Sequence, residues 1–234
     1  MVVIVLHKED LIMKNKYNNI SIAVDGPAGA GKSTISKLVA KKMNIEYIDT
    51  GAMYRAFTLK ILEKGINLND KIKIIEELNS TYIDFINGHI YLDNKNVDKQ
   101  IRDNIISQNV SDIAKIREVR NGMIRLQRDI AKDKNIIMDG RDIGTVVLPK
   151  SNFKFYITAS IEERAKRRYK DLIQKGEKSI SLEQIKKEIE KRDELDSTRA
   201  IGPLKKAKDA IEINTTYKSI NESVNLIVDI VEGR

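Results

Sequence analysis

The sequence predicts an α/β protein built on a doubly wound parallel sheet, with a small subdomain inserted into it. Three observations predict this. Short apolar runs alternate with amphipathic segments of helical period along most of the chain. A glycine-rich stretch, residues 26–31, stands between the first apolar run and the first amphipathic segment. The alternation is broken once, by a two-residue hairpin signal at Asn87-Gly88. In sheets of this kind ligands gather beyond the carboxyl ends of the strands.

The elements follow in order. Ile20-Ser21-Ile22-Ala23-Val24 reads as a buried strand; an amphipathic helix follows at 33–43 and a second strand at 45–48. Residues 54–64 and 70–79 read as helices. Residues 82–86 and 89–92 flank the hairpin turn, and two helices at 101–115 and 117–132 come next. Residues 135–138 form a strand that runs into Asp139-Gly140, and residues 153–158 form another. Ser160-Ile161-Glu162-Glu163 has the spacing of a capping box and opens a helix to Gln174. A polar turn with Gly176 leads to a helix at 181–194, then a last strand at 210–213 and a last helix at 219–232.

The chain has 234 residues, 41% hydrophobic and 32% charged, which excludes a disordered or collagen-like polymer and is long enough to bury a core. It has no cysteine, so disulfides, thiolate metal sites, iron–sulfur clusters and a Cys nucleophile are excluded. Its two histidines, His7 and His89, are too few for a His-based metal site. No apolar run approaches the ~20 residues that span a bilayer, and the opening Val2-Val3-Ile4-Val5-Leu6 lacks a basic flank and a cleavage site. A cytoplasmic protein with no membrane partner is expected. Met13 is a candidate alternative start. The net charge of +8 is spread along the chain and reads as a solvated Lys-rich surface, not a nucleic-acid footprint.

The sharpest motif is Gly26-Pro27-Ala28-Gly29-Ala30-Gly31-Lys32-Ser33, a full G-x-x-x-x-G-K-[ST] between a strand and a helix. Glycines let the backbone wrap phosphates so that N–H groups point inward, and the helix N-terminus adds its dipole. Lys32 is expected to reach the β- and γ-phosphates, and Ser33 to ligate Mg²⁺. A guanine motif N-K-x-D is missing, since Asn94-Lys95-Asn96-Val97 lacks the Asp, and so is the L-S-G-G-Q of transporter ATPases. A small-molecule kinase remains.

Five further groups accompany the loop. Thr50 and Arg55, in Asp49-Thr50-Gly51-Ala52-Met53-Tyr54-Arg55, suit a second phosphate at the mouth of the sheet; an N-capped helix with an exposed Arg is the plainer alternative. In Asp139-Gly140-Arg141-Asp142, Asp139 can act on Mg²⁺ through water, Arg141 can hold phosphate, and Asp142 can accept from an exocyclic amine. Arg164, Arg167 and Arg168 share one helix face, and Arg192, Asp193, Asp196 and Arg199 lie downstream. Such groups are solvated faces unless a polyanion meets them. On the helix 117–132, Arg120 borders the apolar stripe, while Arg117, Arg125 and Arg128 point farther out and read as surface residues.

Together these motifs resemble the bacterial cytidylate kinases, the (d)CMP kinases of the nucleoside monophosphate kinase group. The likeness rests on GPAGAGKST at 26–34, DTGAMYR at 49–55, IR at 101–102 with Ser111, VR at 119–120, DGRDIGTVV at 139–147, and the RD-x-x-D-x-x-R run at 192–199. It covers residues 20–232. The resemblance implies a P-loop kinase fold: an N-terminal extension at 1–19, then one domain at 20–234. Its core comprises 20–50, 106–163 and 195–234, its monophosphate-binding insert 51–105, and its lid 164–194. Gly26, Pro27, Ala28, Gly29, Ala30, Gly31, Lys32, Ser33 and Thr34 would bind ATP, and Thr50, Tyr54 and Arg55 would line the CMP site, with Arg55 on its phosphate. Ser111, Arg120 and Asp142 would read cytosine. Arg141 and Arg199 would hold the acceptor phosphate and act with Lys32 in catalysis, while Arg192 and Asp196 would face the sugar. Arg164, Arg167 and Arg168 would belong to the lid over ATP. ATP and Mg²⁺ are the implied donor and metal, and a monomer is implied. Leu148 departs from the family, which often has Phe before this proline.

Cytosine chemistry agrees with these roles. A carboxylate suits its N4 amine and an Arg its N3 or O2. Uracil would set O4 against Asp142, and an unpaired buried group costs ~1–3 kcal/mol, roughly 5- to 150-fold per contact. The alternatives are a P-loop kinase with another small-molecule acceptor, or a basic nucleic-acid-binding ATPase. Aromatic residues are only 5%, with no Trp, so stacking platforms for single strands are scarce.

Overall fold

The structure, a computed structural model, describes residues 19–86, 88–174, 176 and 180–234. The expected extension at 1–19 therefore lies, Asn19 apart, outside the described residues, as do Met13 and the Asn87 of the hairpin turn.

The chain runs β1 (Ser21–Asp25), α1 (Lys32–Met43), β2 (Glu46–Asp49), α2 (Thr50–Glu63) and α3 (Lys71–Asn79). The strands β3 (Ile83–Ile86), β4 (His89–Leu92) and β5 (Lys95–Asn96) follow, then α4 (Asn104–Ala114), α5 (Arg117–Ala131) and β6 (Ile136–Asp139). The last elements are β7 (Phe153–Thr158), α6 (Ile161–Gln174), α7 (Leu182–Thr198), β8 (Ile211–Asn214) and α8 (Ile220–Glu232).

Five strands form one sheet in the order β2-β6-β1-β7-β8, with each neighbouring pair parallel. β1 is central. Its Ile22 and Val24 enter one core with α1 and α8, while Ala23 enters the other with α2, α4 and α5. That alternation is the period-2 pleat seen from both sides, and it winds helices onto both faces. β3, β4 and β5 form a separate antiparallel sheet, in which Ile86 pairs with His89 across a two-residue connection.

The register sets the site. Val24 and Asp49 both pair with Asp139, so the carboxyl ends of β1, β2 and β6 finish side by side and leave Asp25, Asp49 and Asp139 along one edge.

The structure differs from the sequence reading at several elements: β5 is an additional strand, and the helix expected at 101–115 begins at Asn104 after a 3-10 turn at Gln100–Arg102. α2 begins at Thr50 instead of residue 54, because the Asp49 side chain accepts from the Ala52 N–H and caps the helix directly at the strand end. α7 runs on to Thr198, with Ser181 and Gln184 forming a reciprocal capping box at its start. After β6, Ile143–Val147 forms a π-helical turn where the sequence pattern predicts only a loop.

Candidate active site

The glycine-rich loop joins β1 to α1. Gly26 has φ of 145°, and a Cβ there would lie 1.9 Å from the Ile157 carbonyl oxygen, so only glycine fits between the loop and β7. Lys32 opens α1 and its amine donates to the Pro27 carbonyl at 2.8 Å. Burial, and then the nearby Arg141, push the Lys32 amine down to about 7. The Ala28 and Ala30 carbonyls accept from Arg164 and Arg167 at 3.1 and 3.5 Å, which turns them outward onto α6. Thr34 is exposed on the first turn of α1.

Beside the loop stands Asp139. Its two carboxylate oxygens accept from Ser33 Oγ and from the Tyr47 hydroxyl, each at 2.8 Å, and its carbonyl accepts from Thr50 Oγ1 at 2.7 Å. Burial and the neighbouring Asp49 push its carboxyl up to about 6. Asp49 is different: burial opposes its charge, but Arg55 at 2.7 Å and Arg102 at 3.7 Å outweigh this and hold its carboxyl below the usual range.

Next comes a cluster of arginines. Arg120, 1% exposed, pairs with Asp142 at 2.7 Å, and its guanidinium carbon stands 5.7 Å from the centre of the Tyr54 ring. Arg141 donates to Asp196 at 2.7 Å, and Arg199 lies 3.4 Å from the other Asp196 oxygen and 3.7 Å from Asp142. Arg120 and Arg199 also share the Gly202 carbonyl, at 3.3 and 2.6 Å. Four buried donors of this cluster have no hydrogen-bond partner among the described residues: Nε of Arg55, Arg120 and Arg192, and one Nη of Arg199. Burial and then Arg141 push Arg192 down to about 10. Buried cationic donors left open in this number call for an anion.

The residues singled out in the sequence thus converge, with exceptions. Ser111 lies half-buried on α4, one turn before the Ala114 carbonyl that takes Arg120, and its hydroxyl makes no hydrogen bond among the described residues. Arg164 and Arg167 hold the loop from its outer side, and Arg168 has no hydrogen bond or ion pair among the described residues. Arg128 is exposed, as read, yet is tied down by bonds to the Val146 and Val147 carbonyls at 2.6 and 3.0 Å.

A family model described as cytidylate kinase matches residues 22–233. The chain belongs to the cytidylate kinase family. The cytidylate kinase of Clostridioides difficile is 51% identical over 210 residues, covering 90% of this chain and 97% of that protein. That of Pediococcus pentosaceus is 52% identical over 225 residues, covering 94% and 98%. A solved structure of an uncharacterized protein from Eubacterium ventriosum matches with a TM-score of 0.50 at 12% identity over 92% of this chain and 99% of that one, a likeness of fold alone.

Sequence reasoning misses several groups of this cytidylate kinase family member. Tyr47, Asp25 and Gly202 do not stand out in it, and Asp49 enters only as part of a motif. An Asp directly after the apolar Ile22-Ala23-Val24 and just before the glycine-rich loop is a usable signal for Asp25. Tyr47 and Gly202 carry none, because strand register and chain return bring them to the site. Among the described residues no helix is long and apolar enough to cross a membrane.

Proposed function

We propose that this chain transfers the γ-phosphoryl group of ATP to the phosphate of CMP or dCMP, giving ADP and CDP or dCDP. The observation that carries the reading is the set of unpartnered buried arginine donors around the Arg120–Asp142 pair, beside the phosphate loop. An acceptor phosphate oxygen bonds to the γ-phosphorus as the bond to the β,γ-bridging oxygen breaks, and that electron pair leaves with ADP. The attacking oxygen carries no proton, so no general base is required. Positioning and charge neutralisation do the chemistry.

The loop 26–34 binds the ATP phosphates, with Lys32 turning from the Pro27 carbonyl to them. Arg55, Arg141 and Arg199 take the acceptor phosphate, and Arg192 and Asp196 face the sugar. Tyr54 lines the CMP site beneath Arg120. Asp142, Arg120 and Ser111 read the base; the carbonyl already shared by Arg120 and Arg199 is the kind of acceptor these donors suit. Arg168 is the lid arginine that reaches ATP. The insert 51–105 and the lid 164–194 close over the substrates and keep water out. The protein works as a cytoplasmic monomer on small molecules, with no nucleic-acid or membrane partner.

Ser33 Oγ and the Asp139 carboxylate, 2.8 Å apart, are two hard oxygen donors. Mg²⁺ is commonly held by one or two protein oxygens, which this pair can supply, together with substrate phosphates and water. Ser33 would bind it directly and Asp139 through water. When bound, Mg²⁺ neutralises charge across the donor phosphates.

The test is ADP release from ATP and Mg²⁺ with CMP, dCMP, UMP, AMP, GMP and dTMP. Strong turnover is expected with CMP and dCMP, with UMP lower in kcat/KM by roughly 5- to 150-fold. Equal kcat/KM for CMP and UMP would sink the base reading, and preference for another acceptor would replace the substrate. Asp142→Ala is expected to raise KM for CMP and to leave KM for ATP in place.

A further inference from the structure

Asp25 closes β1 and is followed at once by Gly26 of the phosphate loop, so chain position assigns it to the ATP side. Its bonds point the other way. One carboxylate oxygen accepts from the Ile143 N–H at 2.7 Å and the other from the Gly144 N–H at 2.8 Å. These N–H groups open the π-helical turn Ile143–Val147, directly after Arg141 and Asp142.

The N-terminal N–H groups of any helical turn need acceptors. The residue placed to supply one is Asp142, at the cap position, and Asp is a preferred cap residue. Asp142 makes no side-chain cap bond; its carboxylate is committed to Arg120. Its backbone carbonyl serves only the later N–H groups, those of Val146 and Val147. We infer that Asp25 is a positioning residue for the CMP site: it caps the 143–147 turn in the place of Asp142, which leaves the Asp142 carboxylate free to pair with Arg120 and read the base.

Both oxygens of Asp25 are used, one per N–H, so the position needs a carboxylate. An Asn offers one acceptor and sets its amide N–H₂ against the second N–H. The carboxylate is retained despite burial, which pushes it up to about 6, with Asp142 adding to the shift and the two N–H groups and Lys32 opposing it. A buried charge kept at such cost is better explained by what it holds in place than by stability.

The inference rests on the proposed role of Asp142, and the test separates the two. Asp25→Asn and the shorter Asp25→Ser are assayed beside Asp142→Ala for kcat, for KM of ATP and of CMP, and for the CMP-to-UMP ratio of kcat/KM. For the Asp25 variants the ratio is expected to fall by roughly 5-fold or more, the scale of one lost buried hydrogen bond. kcat with CMP is expected to fall by about 10- to 100-fold, the cost of a loop displaced by an ångström or less. KM for ATP is expected to stay in place although Asp25 abuts the ATP loop. A raised KM for ATP with the ratio intact, or no change at all, overturns the inference. If Asp142→Ala collapses the ratio and folded Asp25 variants do not, the inference alone falls. If Asp142→Ala leaves the ratio unchanged, the base reading falls and takes the inference with it. Asp25→Ser is shorter and sets no amide N–H₂ against the second N–H, so it carries the test if Asp25→Asn does not fold.

Discussion

At the residue scale the site trades stability for placement, and Asp25 shows the sign. Its carboxyl stands at 3.8 ordinarily and is pushed up to about 6 in the fold, chiefly by burial. Below about pH 4 it is neutral folded and unfolded, and its contribution to stability is fully present; as pH rises through about 6 the fold must carry the charge and that stability is lost. Asp142, Lys32 and Tyr156 are the titratable groups that feel this charge. The unfolding temperature of Asp25→Asn minus that of the parent is therefore expected to rise from about pH 4 to about pH 7 and then level off. Thermal unfolding of both proteins across that range checks it, and a flat difference would count against a buried, ionised Asp25. The same scale divides what the sequence discloses. Arg120 stands out on its helical wheel, because one residue's place on an apolar stripe is local information, and it is 1% exposed in the structure. The Tyr47 bond to Asp139 does not, because it depends on the β2–β6 register.

At the element scale, most strands and helices are legible because each carries its own periodicity, and the glycine-rich loop because its backbone demands are local. The 143–147 turn is not, since its cap comes from a residue 118 positions away. The early start of α2 is hidden for a milder reason: Asp49 ends a strand and caps a helix at once, and periodicity registers only one role. Gly26 and Gly65 separate conformational need from packing need. Gly65 has φ of 63°, and a Cβ placed there would have nothing within 4 Å, so Gly65→Ala is expected to cost about 1 kcal/mol of backbone strain and to leave activity alone. Gly26→Ala meets the Ile157 carbonyl at 1.9 Å as well as an unfavourable φ of 145°, so the loop must leave β7. ATP affinity is expected to collapse along with stability. Calorimetric titration with ATP and thermal unfolding of both variants decide it; full ATP affinity in Gly26→Ala would mean the loop is not seated as described.

At the scale of the whole molecule, the sheet brings three strand ends together and the helices return arginines to them from far along the chain. The net charge of +8 gives no hint of this, because most of it is dispersed. What the fold concentrates is a group of arginines with open donors, Arg120 buried and Arg55, Arg192 and Arg199 half-buried, and like charges withdrawn from water destabilise the structure that holds them. Arg192 is the clearest case: burial first, then Arg141, with Arg55 and Arg168 adding, push its guanidinium down to about 10, against the pull of Asp196. Replacing it with an apolar side chain of similar length is expected to stabilise the protein by itself and to remove what an anion would bind. Arg192→Met is therefore expected to unfold at a higher temperature than the parent when each is alone. CMP at 100 times its dissociation constant stabilises a folded protein by about 2.7 kcal/mol, which for a chain of this size raises the unfolding temperature by about 5–10 °C. At the same CMP concentration Arg192→Met is expected to show a much smaller rise, and cytidine, which lacks the phosphate, should do little to either protein. A variant that unfolds earlier than the parent and keeps the full CMP response would mean that Arg192 is held by structure and not in wait for an anion.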